Sequence, residues 1–123
     1  MKILLLSILI TLSSQAIEYS KKIRYKDKIT MASYYSNALH GKRTASGEPY
    51  NKTLLTAAHR YLPFGTLVRV TMLSTGKQVI VKINDRGPFI QRRSIDLSYK
   101  AAKIIGMVRA GIGKVKLEVI SKG

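Results

Sequence analysis

Three stretches of this chain place apolar side chains at every second position. Val68, Val70 and Met72 share a face of Thr66–Met72, Val79, Val81 and Ile83 share one of Gln78–Asn84, and Val115, Leu117 and Val119 alternate with Lys114, Lys116 and Glu118. Successive side chains of an extended chain point to opposite faces, so each stretch predicts a strand with one face against a core. Ser74-Thr75-Gly76 is short enough to close the first two into a hairpin. Thr30–Tyr35 has the β-branched and aromatic content of an earlier strand, whereas the short Leu54–His59 fits either a strand or a helical turn. Only Tyr99–Ile105 departs clearly from period two: Ala101, Ala102, Ile104 and Ile105 fall at helical spacing, with Ser98 as the N-cap and Gly106 placed to end the helix. Five or six short strands with one or two short helices, in roughly 90 residues, predict a mainly β, closed barrel, since closure removes unpaired edges.

The first residues do not belong to that pattern. Lys2, the apolar run Ile3–Leu12 and the small residues Ser14-Gln15-Ala16 read as a secretory leader over residues 1–16, too short to count as a membrane span. Residues 17–28 carry Lys21, Lys22, Arg24, Lys26 and Lys28 with few apolar anchors, a basic arm ahead of a barrel domain at 29–121. The chain holds no cysteine, which excludes disulfides, thiol nucleophiles and the acceptor of a lipid anchor. An exported, unlipidated monomer of the periplasm or cell envelope is expected, with no stable membrane insertion once the leader is removed.

Charge narrows the partners. The chain carries 22 basic and 6 acidic residues, net +16, and loss of residues 1–16 removes only Lys2. Such a surface attracts polyanions and weakens with salt. Export and the lack of any nucleic-acid-binding signature argue against nucleic acid and leave anionic lipid headgroups or acidic wall polymers. In a chain so poor in acids, two of the six stand out. Glu48 closes the loop-like Arg43-Thr44-Ala45-Ser46-Gly47-Glu48, and Asp85 ends the alternating run before Arg86-Gly87-Pro88-Phe89. Each is either an arginine or turn partner or a proton donor and acceptor in a cleft. A strongly positive field lowers a carboxyl pKa while a general acid wants it raised, so local burial must prevail, with Phe89, Tyr34 and Tyr35 as the candidate apolar wall. His40 and His59, 19 residues apart and without cysteine, make a poor metal set, and neither metal nor cofactor is expected.

Six ordered blocks carry a more specific signal: Ala32–Tyr35, His40–Glu48, Leu55–His59, Leu62–Thr66, Asn84–Phe89 and Ile95–Ser98. Together they resemble the double-psi β-barrel domain of the RlpA (rare lipoprotein A) family, over about residues 29–120. The resemblance implies a six-stranded double-psi β-barrel, related in fold to expansins. It also implies a lytic transglycosylase that cleaves peptidoglycan glycan strands, favouring strands stripped of stem peptides, and leaves 1,6-anhydromuramic ends. It places the active site at Glu48, His59 and Asp85, with Asp85 the main acid/base, Glu48 able to share that role, and His59 orienting a carboxylate or holding a sugar. That chemistry asks for one carboxyl group acting first as acid and then as base, where ordinary glycosidases need two, and it suits a chain with so few acids.

Around that set, Arg43 and Arg86 are further substrate-binding candidates. Thr44, Ser46 and Asn84 either bond sugar hydroxyls or satisfy loop backbone. Of Tyr34 and Tyr35, strand alternation predicts one against a sugar and one in the core. Asp96 reads as mainly structural, bonded to Arg93 or backbone, with a site role in reserve. The sequence departs from the family pattern at Tyr34-Tyr35-Ser36, where tryptophan, tyrosine and glycine are common, and it holds no tryptophan. Two other functions compete with cleavage: a non-catalytic, expansin-like wall-binding module and a general polyanion binder whose affinity collapses with salt.

Overall fold

Alternation in the sequence is alternation of burial in the structure. In the computed structural model, Val68, Val70 and Met72 of one strand and Val79, Val81 and Ile83 of the next are all buried, while Ile80 between them stays exposed. Residues 14, 15 and 27–123 are described; the rest of the expected leader and residues 17–26 of the basic arm lie outside them. Among the described residues no helix is long and apolar enough to cross a membrane.

Six strands form the barrel: β1 (Lys28–Tyr34), β2 (Thr56–His59), β3 (Leu67–Met72), β4 (Gln78–Asp85), β5 (Arg93–Leu97) and β6 (Ile112–Ser121). They close in the order β1-β5-β2-β4-β3-β6, with β1–β5 and β2–β4 parallel and the other pairs antiparallel. The mainly β, six-stranded barrel expected from the sequence is therefore present. The ambiguous Leu54–His59 supplies β2, and all four of its strand residues are buried. β5 escapes a search for alternation, because only Ile95 and Leu97 are apolar and Arg92, Arg93 and Ser94 precede them.

The β3–β4 hairpin turns where expected, Gly76 N–H donating to the Met72 carbonyl at 2.8 Å. Helix α1 (Tyr99–Ile104) packs against β4 and β1 and buries Ala101 and Ala102. The Ser98 hydroxyl caps it by accepting from Ala101 N–H, and Gly106 leaves it at φ +79°, a conformation that disfavours any residue with a Cβ. Ile83, Ile95, Leu97, Ile105, Met107 and Val115 are fully buried in one cluster. At ~2–3 kcal/mol per fully buried large aliphatic side chain, this interior supplies the driving force that a cysteine-free chain needs. It also fixes the strand registers on which the site depends.

Candidate active site

Three register pairs place four side chains in one row. Ser33 on β1 lies opposite Asp96 on β5, Asp96 lies opposite Ala58 on β2, and Ala58 lies opposite Asp85 on β4. Two carboxylates thus flank an alanine whose methyl group cannot separate them. Neighbouring strands lie about 4.8 Å apart, so the two aspartate backbones stand roughly 10 Å from one another. Both aspartates line a groove of about 370 Å³, within the range of small-ligand sites, together with Ser33, Tyr35, Ala58 and Arg93. A bulge between Ala57 and Ala58 brings Asp85, not Asn84, opposite Ala58.

Asp85 is held by three donors. Its Oδ2 accepts from the Tyr35 hydroxyl at 2.5 Å, and its Oδ1 accepts from Ala45 N–H at 2.8 Å and Arg86 N–H at 2.9 Å. The Tyr35 ring is braced in turn by Tyr50, stacked at 4.3 Å between centroids and 16° between planes. Burial first, then the hydrogen bond to Asp85 and the charges of Asp85 and Asp96, push the Tyr35 phenol well above its ordinary pKa. It therefore remains a donor at any pH the protein meets. Asp96 is less engaged: one oxygen accepts from the Ser33 hydroxyl, and the other has no partner among the described residues. Nor does an ion pair join Asp96 to Arg93 among the described residues, contrary to the expected structural role.

The other members of the expected trio stand outside the groove lining. The Glu48 side chain is half exposed and pairs with Lys82 Nζ at 3.1 Å. His59 is buried, and its Nδ1 accepts from the backbone N–H groups of Tyr61 and Leu62 at 3.3 and 3.2 Å. Burial, reinforced by the charges of Lys28, Arg86 and Arg60, lowers its pKa to about 4, which fits a neutral ring with an accepting Nδ1. It makes no hydrogen bond to a carboxylate among the described residues. Asp85 and Asp96 thus line one groove, and Glu48 and His59 are not among its lining residues.

Most of the remaining candidates satisfy backbone. Arg43 Nη1 donates to the Gly47 carbonyl, the buried Thr44 hydroxyl to the Glu48 carbonyl, and Ser46 Oγ accepts from Glu48 N–H. Asn84 is buried, and its carbonyl accepts from Ser46 N–H. Together these bonds dock the 43–49 hairpin so that Ala45 N–H reaches Asp85. Arg86 lines the groove while its Nη1 donates to the carbonyls of Leu62 and His59, and its guanidinium lies 4.0 Å from the centre of the Phe64 ring. Tyr34 also lines the groove, but its hydroxyl donates to Val108 O at 2.9 Å and its ring meets Tyr99 edge-on. Phe89 is 81 % exposed, so it forms a rim and not the enclosing apolar wall expected of it.

Sequence reasoning passed over Ser33, Ala58 and Arg60, and named Arg93 only as a partner for Asp96. The first two lie inside blocks already singled out, and recognising β5 as a strand between β1 and β2 would have aligned them with Asp96. Arg60 ties down the loop after Asp85, donating to Pro88 O at 2.6 Å, Ile90 O at 2.7 Å and Arg93 O at 2.9 Å.

Comparison with known proteins adds an independent line. A family model described as lytic transglycolase matches residues 28–117. The chain is 54% identical over 90 residues to the probable endolytic peptidoglycan transglycosylase RlpA of Synechocystis, covering 73% of this chain and 28% of that protein. It is 50% identical over 93 residues to the endolytic peptidoglycan transglycosylase RlpA of Campylobacter jejuni, covering 76% and 34%. The chain thus spans between about a quarter and a third of the length of these relatives. Among solved structures, the apo expansin of Clavibacter michiganensis superposes with a TM-score of 0.63 at 20% identity, over 80% of this chain and 52% of that one.

Proposed function

From the premise that the chain belongs to the lytic transglycolase family, whose model spans residues 28–117, we propose that it is an exported lytic transglycosylase of the cell envelope that cleaves peptidoglycan glycan strands. It acts as a monomer, prefers strands stripped of stem peptides and leaves 1,6-anhydromuramic ends. The observation that carries this reading is the row Ser33, Asp96, Ala58, Asp85, with two carboxylates lining one groove. The two relatives, about half identical over nearly the whole barrel, are named as peptidoglycan transglycosylases.

The chemistry needs no water in the bond-breaking step. The C6 hydroxyl of a muramic residue attacks its own C1, the C1–O4 bond to the next sugar breaks, a carboxyl proton goes to the departing O4, and the proton of the hydroxyl passes to a carboxylate. The pair thereby ends the turnover with the same number of protons it began with, the two carboxyl groups having exchanged states. This proton traffic belongs to the Asp85–Asp96 pair. Asp85 is oriented by Tyr35 and two backbone N–H groups, and Asp96 keeps an oxygen without a partner among the described residues. Glu48 supports the site through its backbone, which fixes Thr44 and hence the hairpin that carries Ala45. His59 supports it through the 60–62 turn and through its carbonyl, which receives Arg86.

The test is mass spectrometry of soluble products after the full chain is incubated with intact and amidase-stripped peptidoglycan, with Asp85→Asn as control. Anhydro-ended chains released by the parent and at least ~100-fold fewer by the variant are expected, the range in which acid–base groups act. A likeness in fold to an expansin favours one second reading, a non-catalytic glycan-binding module. Binding to the polymer by parent and variant alike, with no anhydro product from either, would establish that reading instead.

A further inference from the structure

Arg93 is the one described residue with a buried side-chain nitrogen that lacks a hydrogen-bond partner: its Nε is enclosed and unpaired. The side chain lines the groove beside Asp96 yet forms no ion pair with it, and no other group among the described residues bonds its guanidinium. Leaving a buried polar donor without an acceptor costs free energy in general, so the unpaired Nε points to a partner from outside the fold.

Its placement is fixed by backbone, not by chance packing. Arg93 O accepts from Arg60 Nη2 at 2.9 Å, Arg93 N–H donates to Ile90 O, and Arg92 before it holds a left-handed φ of 69°. These three features set the point at which the chain enters β5. Arg60 spends its Nε and Nη2 on carbonyls, and Arg86 commits its Nη1 to two more while resting on Phe64. Of the two arginines that line the groove, Arg93 alone makes no side-chain hydrogen bond among the described residues.

We propose that Arg93 forms an anion subsite that takes the lactyl carboxylate of a muramic residue whose stem peptide has been removed. This rests on the glycan-cleaving function proposed above. The sugars of that polymer are neutral except at the lactyl group on muramic C3. While the stem peptide is attached this carboxyl is an amide, without charge and followed by bulk. Once the peptide is gone it is a carboxylate, whose two oxygens match the planar fork of a guanidinium. A preference for stripped strands is then read at one residue, as charge pairing gained and a buried nitrogen satisfied.

The experiment measures binding, separately from turnover. The full chain bearing Asp85→Asn is titrated with two tetrasaccharides of alternating N-acetylglucosamine and N-acetylmuramic acid, one with free lactyl carboxylates and one with them capped as methylamides. At least ten-fold tighter binding of the carboxylate form is expected. Adding Arg93→Gln should abolish that ratio while leaving affinity for the amide form within two-fold, and Arg93→Lys should keep part of it. A ratio near one in the Arg93 protein, or an unchanged ratio after Arg93→Gln with an unchanged melting transition, overturns the proposal. If Arg93→Gln does not fold, the ratio measured with Arg93 in place decides. Failure of the cleavage reading shows elsewhere, as absence of anhydro product from the parent while the binding ratio stands.

Discussion

The two walls of the groove are built on opposite terms. On the side of β4, Asp85 receives three hydrogen bonds, Tyr35 is stacked on Tyr50, and the 43–49 hairpin closes on its own hydroxyls and carbonyls. On the side of β5, Asp96 receives one hydroxyl, and Arg93 keeps a buried nitrogen without an acceptor. Both walls hang from the same barrel and meet at Ala58, so packing does not distinguish them. The satisfied wall needs no ligand to be rigid and fixes geometry in advance, the condition for efficient proton transfer. The unsatisfied wall is completed by what binds. Preorganisation is therefore concentrated on the β4 side and recognition on the β5 side, where Asp96 also shares the proton transfer.

The strongest way to break this division is to neutralise each aspartate in turn. Asp85→Asn and Asp96→Asn are each expected to lower anhydro-product formation at least ~100-fold. They should differ in stability: Asp85→Asn disturbs three hydrogen bonds and is expected to cost about 1–2 kcal/mol, and Asp96→Asn under about 1 kcal/mol. Product release by a folded Asp96→Asn protein at the parent rate would remove β5 from the chemistry and leave Asp85 alone. A weaker probe is Tyr35→Phe, which keeps the stack on Tyr50 but withdraws a donor that burial and Asp85 hold in its protonated form. A roughly ten-fold fall in kcat with KM unchanged is expected of a positioning hydroxyl. A rise in KM alone would show instead that Tyr35 touches substrate.

Much of this arrangement is legible in the sequence, and what is not shares one cause. Val68, Val70, Val79, Val81 and Ile83 alternate, and alternation is what a half-buried strand writes into sequence. Ser98 and Gly106 announced their helix because capping is chemistry local to a few residues. Asp85 was legible as a strand end. Its partner was not, because Asp96 faces Ala58 only through β5, a strand whose apolar signal is two residues long and whose neighbours β1 and β2 are distant in sequence. Glu48 and His59 enter through the family resemblance, but whether a side chain lines a groove depends on register and on the bulge at Ala57/Ala58. The unpaired Nε of Arg93 is equally invisible in sequence, since which acceptors surround a side chain is set by contacts between distant strands.

His59 and Glu48 test the comparison from outside the groove. His59 is neutral in the fold, its pKa lowered from 6.5 to about 4, chiefly by burial. Between those values the unfolded chain binds a proton that the folded chain refuses, so stability is full above pH 6.5 and falls as acid is added toward pH 4. The loss approaches about 1.4 kcal/mol per pH unit, or roughly 2 kcal/mol by pH 5, above the range in which most carboxylates titrate. Melting measured at pH 7 and pH 5 should show the drop. In His59→Asn, where an amide oxygen can still accept from the 61–62 backbone, it should vanish, and a drop of equal size there would assign it to other groups.

Glu48→Gln is expected to do least. Its carboxylate meets Lys82 Nζ on an exposed surface, where ion pairs contribute about 0–1 kcal/mol, and the backbone that holds Thr44 and carries Ala45 toward Asp85 is untouched. Product formation within a few-fold of the parent, with a melting transition almost unmoved, would show that the site needs the Glu48 backbone and not its charge. A loss as deep as that of Asp85→Asn would overturn the two-wall description: the working groove would then extend across the 43–49 hairpin to the outer face of β4, and the satisfied wall would itself hold a group that acts on substrate.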